Sequence, residues 1–203
     1  MVADALLSTL LNLVLFAGLP FLGYWLYHRL RHKRRFGDIA ARAGLRLGEP
    51  RYLAYSAAIA AACVGILLAW QPPLASFIGP TSPQRGFVGL GWSGLSIALA
   101  LLYGTIKTGF AEEFLFRGMI AGSLARRMPL WTANLLQASI FLAPHLLVLI
   151  ARPELWGVLP AVFAGGLLNG WLRMKSGSFF GPWLIHGAAN TATCLYVAVG
   201  TAA

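Results

Sequence analysis

Two adjacent glutamates, Glu112 and Glu113, stand in the run GFAEEFLFRGMIAG (Gly109 to Gly122), with Arg117 four residues further on. An ionised carboxylate inside an apolar span is costly and rare, so it marks a candidate functional site. Other polar side chains that stand out within apolar stretches are Lys107, His145, His186 and the amides Asn134, Asn169 and Asn190. The remaining histidines, His28 and His32, belong to a basic run. Both embedded carboxylates and both embedded imidazoles are therefore candidates for one centre of acid–base chemistry.

Spacing divides the two glutamates. On a helix, neighbours point about 100° apart. Glu113 and Arg117 are related as i, i+4 and pair on one face, so that neither charge is buried alone. Glu112 has no such partner on its own helix and is left to meet a group from another element. In FLAPH (Phe141 to His145), Pro144 removes a backbone donor beside the imidazole. In HGAAN (His186 to Asn190), the i, i+4 spacing stacks two possible hydrogen-bond donors on one face, which suits an oxyanion. Gly187, Ala188 and Ala189 between them allow a backbone or a substrate to approach closely. Each pattern also has a purely structural explanation: an ion-pair packing network, a satisfied core histidine, polar glue between helices.

The elements that must position these residues follow from composition. Of 203 residues, 58% are hydrophobic and 11% charged, with a mean hydropathy of +0.70. A soluble domain carries about 25% charged residues. The fold expected is an all-α, polytopic transmembrane helix bundle of about six spans, forming a single membrane domain over residues 1–203. The spans read as Ala5 to Tyr27, Tyr52 to Trp70, Trp92 to Leu124, Leu130 to Ile150, Trp156 to Leu172 and Pro182 to Val199. Gln71 to Gly86, rich in proline and glycine, reads as a loop. Phe36 to Arg51 is too polar to span and is expected on the membrane surface. Cys63 and Cys194 fall in apolar spans and read as small hydrophobes.

The net charge of +10 does not indicate nucleic acid, because the basic residues are placed as a membrane protein places them. Eight of the sixteen Lys and Arg lie between Arg29 and Arg51, directly after the first span, and Arg126, Arg127, Arg173 and Lys175 fall on the same side. The opposite loops hold only Arg85 and Arg152. This bias predicts an N-terminus outside and the basic segments in the cytoplasm. With no basic residue before it and a basic run after it, the first span reads as an anchor and not as a cleaved signal. Two features strain the scheme. A helix from Trp92 to Leu124 is about 50 Å long against a hydrocarbon core of about 30 Å, so it is expected to tilt and protrude or to break near Gly109. His145 comes late in its span and His186 early in its own, which sets them toward opposite faces.

Taken together, Glu-Glu-x-x-x-Arg, Phe-x-x-x-His and His-x-x-x-Asn, in that order on three successive polar-marked spans, resemble the CAAX-protease and bacteriocin-processing family. These are intramembrane glutamic proteases that include the Ras-converting CAAX endopeptidase. The flanking FRG (Phe116 to Gly118) and SGSFFGPWLIHGAAN (Ser176 to Asn190) are similar to that family as well. The resemblance covers residues 109–190, the motif-bearing catalytic core; the chain is shorter than eight-helix members. It implies that Glu112 is the base that activates water, assisted by His145. His186 and Asn190 would stabilise the tetrahedral oxyanion, and Glu113 with Arg117 would support the site.

It also implies no cofactor and no metal. The substrate expected is a membrane-associated protein or peptide, cut within its C-terminal segment, in a lipid setting such as the bacterial inner membrane. Family members differ here: some trim prenylated C-termini, others process peptides or remove sorting tags. Two other classes fit parts of the pattern. Glu112, His145 and His186 could bind zinc, although the H-E-x-x-H signature is missing. A transporter, scaffold or immunity protein could use the same residues without catalysis, although no inverted repeat with broken helices is visible.

Overall fold

The computed structural model describes residues 1–151 and 153–202, and the fold is all-helical. Among the described residues seven helices follow one another: α1 (Val2–His32), α2 (Phe36–Arg42), α3 (Pro50–Trp70), α4 (Gly94–Leu124), α5 (Leu130–Ala151), α6 (Leu159–Ser176) and α7 (Phe180–Gly200). Local chemistry sets their ends. Pro50 opens α3 at a position where its missing N–H costs nothing, and Ser93 caps α4 by accepting from the Ser96 N–H at 3.1 Å. Gly177 closes α6 in the left-handed conformation. Gln71 to Gly86 is irregular, with 3₁₀ turns at Leu74–Ser76 and Pro83–Phe87.

The chain is an integral membrane protein. Among the described residues α1, α3 and α4 are each long and apolar enough to cross a bilayer. Only 11% of the apolar window of α1 and of α3 is buried within the protein, against 33% for α4, which makes α4 the most enclosed of these three. Leu6, Leu7, Leu10 and Leu11 of α1 and Ile66 and Leu68 of α3 point outward, as lipid-facing side chains do. Arg152, one of the two basic residues expected in the opposite loops, lies outside the described residues.

Helix α4 does not break near Gly109. It remains continuous but widens into π-helical winding over Leu102–Phe110 and Phe114–Ala121, with a short α turn, Ala111–Glu113, between them. An i→i+5 ladder puts more residues into each turn, which shortens the helix, and such winding is frequent at functional sites, although α1 also carries a π-helical turn at Val14–Gly18. Side chains of other helices reach the carbonyls in these wide turns. Asn12 donates to Lys107, Trp183 Nε1 to Thr105, and Arg173 to Arg117 and Gly118. The polar residues of α1, α6 and α7 thus hold α4 in an unusual winding around its two glutamates.

Residues 36–49 form no span, and their inner face packs onto the bundle while Phe36 and Leu47 stay exposed. Ile39 and Ala43 are completely buried, the Phe179 N–H donates to the Gly44 carbonyl at 3.3 Å, and the Glu49 N–H donates to that of Ser176 at 3.3 Å. The segment folds over the end of the bundle that carries the basic residues and covers the α6–α7 turn. Ser178 and Phe179 are buried beneath it, so α7 begins inside the protein.

Candidate active site

Glu113 is the centre of a buried polar network. Its Oε1 accepts from Arg117 Nη1 at 2.9 Å, from His186 Nδ1 at 2.8 Å and from Asn169 Nδ2 at 3.4 Å. The Glu113 and Arg117 side chains are fully buried. Arg117 also reaches the Gly166 carbonyl at 3.5 Å and lies 4.0 Å above the Phe141 ring. Gln137 shares the Gly166 carbonyl at 2.8 Å and donates to Asn134 at 2.9 Å; Asn134 donates in turn to the Leu167 carbonyl. α4, α5, α6 and α7 are joined in this way at mid-bundle by groups that would be costly to leave unpaired.

Glu112, one residue earlier, is in the opposite situation. It is half-buried and has no hydrogen bond or ion pair among the described residues. His186, His145, Glu113 and Arg117 lie within electrostatic reach of its carboxyl, and so does Tyr103. His145 donates through Nδ1 to the Phe141 carbonyl at 2.9 Å, which leaves Nε2 as the nitrogen able to take a proton. The rings of His145 and His186 both flank Phe141, at centroid distances of 4.8 and 6.4 Å. The two imidazoles therefore share one region and are not set toward opposite faces. α5 runs without interruption past Pro144.

Asn190, one turn beyond His186, donates to Thr108 Oγ1 at 2.9 Å, while Thr108 turns its own hydroxyl to the Tyr103 carbonyl. One amide hydrogen of Asn190 is thereby used and the second remains free. The GAA stretch serves the approach of a backbone: a Cβ added to Gly109 would lie 3.2 Å from the Gly187 Cα. Between α3, α4 and α7, next to this crossing, runs an apolar groove of about 540 Å³ lined by Leu53, Leu101, Thr105, Trp183, Gly187 and Thr191 among others. Among the described residues no three His, Cys, Asp or Glu side chains are arranged to hold a metal ion.

Asn169, Gln137, Phe141 and Thr108 complete the region without having been assigned a part in it from the sequence. Asn169 carried a signal as an amide in an apolar span, and Gln137 lies three residues from Asn134 on the same helical face. Thr108 carried none, since a threonine in an apolar helix ordinarily bonds its own backbone, as this one also does.

Residues 94–192 match the family of the type II CAAX prenyl endopeptidase, Rce1-like. This segment contains every residue of the network described above. The family supports a CAAX-type intramembrane protease, an enzyme that works in the bilayer on membrane-associated protein substrates. No curated protein and no solved structure matches the chain.

Proposed function

We propose that this chain, through its Rce1-like segment, is a glutamic-type endopeptidase that hydrolyses a peptide bond near the C-terminus of a membrane-associated protein or peptide. One observation carries the reading. Of two adjacent embedded carboxylates, Glu113 is held through Oε1 by Arg117, His186 and Asn169, while Glu112 lies within electrostatic reach of both imidazoles and has no hydrogen bond or ion pair among the described residues.

Each group then has a defined task. Glu112 takes a proton from water, and the hydroxide adds to the scissile carbonyl. His145, with Nδ1–H on the Phe141 carbonyl, presents Nε2 to orient that water and share its proton. Glu113, with Arg117 as counter-charge, acts only as an acceptor, so His186 Nδ1 carries a hydrogen. Nε2 can then donate to an oxyanion only as the imidazolium. Two carboxylates, one guanidinium and one imidazolium sum to zero, which lets that form persist in the bundle. The free Asn190 N–H is the second donor. As the tetrahedral adduct collapses, the proton held by Glu112 passes to the leaving amine. The apolar groove beside Gly187 suits a lipid-like or aliphatic part of the substrate. The basic end faces the cytoplasm in this scheme, with the N-terminus on the opposite side, in a bacterial inner membrane.

The test uses CAAX-ending peptides, farnesylated and unmodified, presented to the chain in proteoliposomes. Cleavage that is lost in Glu112→Gln and insensitive to strong chelators supports the reading. Cleavage abolished by chelation and restored by one equivalent of zinc supports a metalloprotease instead.

A further inference from the structure

Away from the active site, the basic end gathers four arginines without an acid. Arg42 and Arg46 come from the segment after α1, Arg126 from the turn after α4 and Arg173 from the last turn of α6. Together they line a cavity of about 370 Å³. Arg173 is only 5% exposed. No carboxylate lines the cavity, and among the described residues none of the four arginines is in an ion pair.

Carbonyls aim the guanidiniums instead. Arg126 Nη1 and Arg173 Nη2 both donate to the Arg42 carbonyl, at 3.3 and 3.1 Å, and Arg173 Nε donates to that of Arg117 at 2.9 Å. Arg46 Nε donates to the Gly177 carbonyl at 3.0 Å, and Arg126 Nη2 to the Tyr24 hydroxyl at 2.9 Å. Two glycines at positive φ make room for them. A Cβ on Gly44 would meet Arg173 Nε at 2.9 Å, and one on Gly177 would overlap the Arg46 guanidinium. Arg42 Nε is buried without a partner. A second cavity of about 240 Å³ shares Arg42 and Arg126 and adds Arg34 and Arg127, again with no carboxylate.

Like charges held this close repel one another, and a bound anion relieves that repulsion. Burial, and then Arg42 and Arg127, pull the Arg126 guanidinium below its usual pKa range, although Tyr24 opposes them. Guanidiniums already aimed lose little conformational freedom on binding, and their planar forks match the oxygens of a phosphate. The cavity lies where α1, α4 and α6 end, the level at which a bilayer carries its headgroups, and basic pockets between membrane helices bind such groups.

We infer that this cavity binds a phosphate-bearing anion through Arg42, Arg46, Arg126 and Arg173. The headgroup of an anionic phospholipid and free inorganic phosphate are the two sources of that chemistry. The full chain in neutral detergent is titrated with short-chain phosphatidylglycerol, phosphatidylcholine or inorganic phosphate at matched ionic strength, with thermal unfolding and native mass spectrometry as readouts. Phosphatidylglycerol is expected to raise the Tm and remain bound, and zwitterionic phosphatidylcholine to do neither. Its apparent Kd should rise about fivefold in Arg46→Gln and again in Arg126→Gln, the effect of one basic group near an anionic headgroup. Inorganic phosphate that reproduces the shift and displaces the lipid identifies a free anion as the source; failure to displace it identifies the lipid. Arg173 is left intact because it also ties down α4. Equal effects of the two lipids, or an unchanged phosphatidylglycerol affinity in an Arg46→Gln, Arg126→Gln double variant of normal lipid-free Tm, would overturn the assignment.

Discussion

The mid-bundle and the basic end bury arginines in opposite ways. Arg117, fully buried, is matched to a carboxylate at 2.9 Å and stacked on Phe141. Arg173, nearly as buried, meets only carbonyls, those of Arg117, Gly118 and Arg42. A charge in a water-poor interior needs a counter-charge, and removing it leaves a heavy penalty. A charge near the end of the bundle can be held by dipoles and by whatever ions the surrounding water or headgroups supply. The first arrangement fixes geometry; the second leaves positive charge available. Arg173 links the two, since its Nε hydrogen bond goes to the backbone of Arg117.

This contrast can be broken by mutation. The largest effect is expected at Glu113→Gln, which strands Arg117. Stability should fall by about 3–5 kcal/mol, measured by thermal unfolding in detergent. Adding Arg117→Met should recover part of that loss, because no unpaired charge remains; no recovery would mean that the pair is not the source of the cost. At the basic end, Arg173→Met should cost less, about 1–3 kcal/mol, from carbonyls left without a donor. No second substitution of a carboxylate should rescue it, since none contacts Arg173. The smallest effect is expected at Asn169→Ala, which removes one neutral donor at 3.4 Å from Glu113 and should cost about 0.5–1.5 kcal/mol in the same assay. A loss as large as that of Glu113→Gln would place Asn169, and not Arg117, at the centre of the network.

The sequence carried the all-helical membrane fold, because a chain 58% hydrophobic and 11% charged has few other ways to fold. It also carried the Glu113–Arg117 pair, because i, i+4 spacing is local. What it did not carry depended on distant contacts. The winding of α4 is set by Asn12, Trp183 and Arg173, which lie far from it in the chain. Arg173 read as a surface charge because it falls with Lys175 among the basic residues expected on the cytoplasmic side; the fold of residues 36–49 over it buries it. The meeting of His145 and His186 beside Phe141 is likewise a contact between helices that the order of the spans did not reveal.

The division between the two glutamates is tested most directly by following stability and proteolysis side by side in Glu112→Gln and Glu113→Gln. New peptide termini are profiled by mass spectrometry in membranes containing each variant, and unfolding is recorded on the purified chains. Glu112→Gln is expected to unfold within about 1 kcal/mol of the original chain yet lose cleavage by about 10²–10⁴-fold, since glutamine keeps the shape but cannot take a proton from water. Glu113→Gln is expected to lose stability first and cleavage as a consequence. A Glu112→Gln chain that still cuts, beside a Glu113→Gln chain that is stable but inactive, would contradict the assignment and move the base to Glu113.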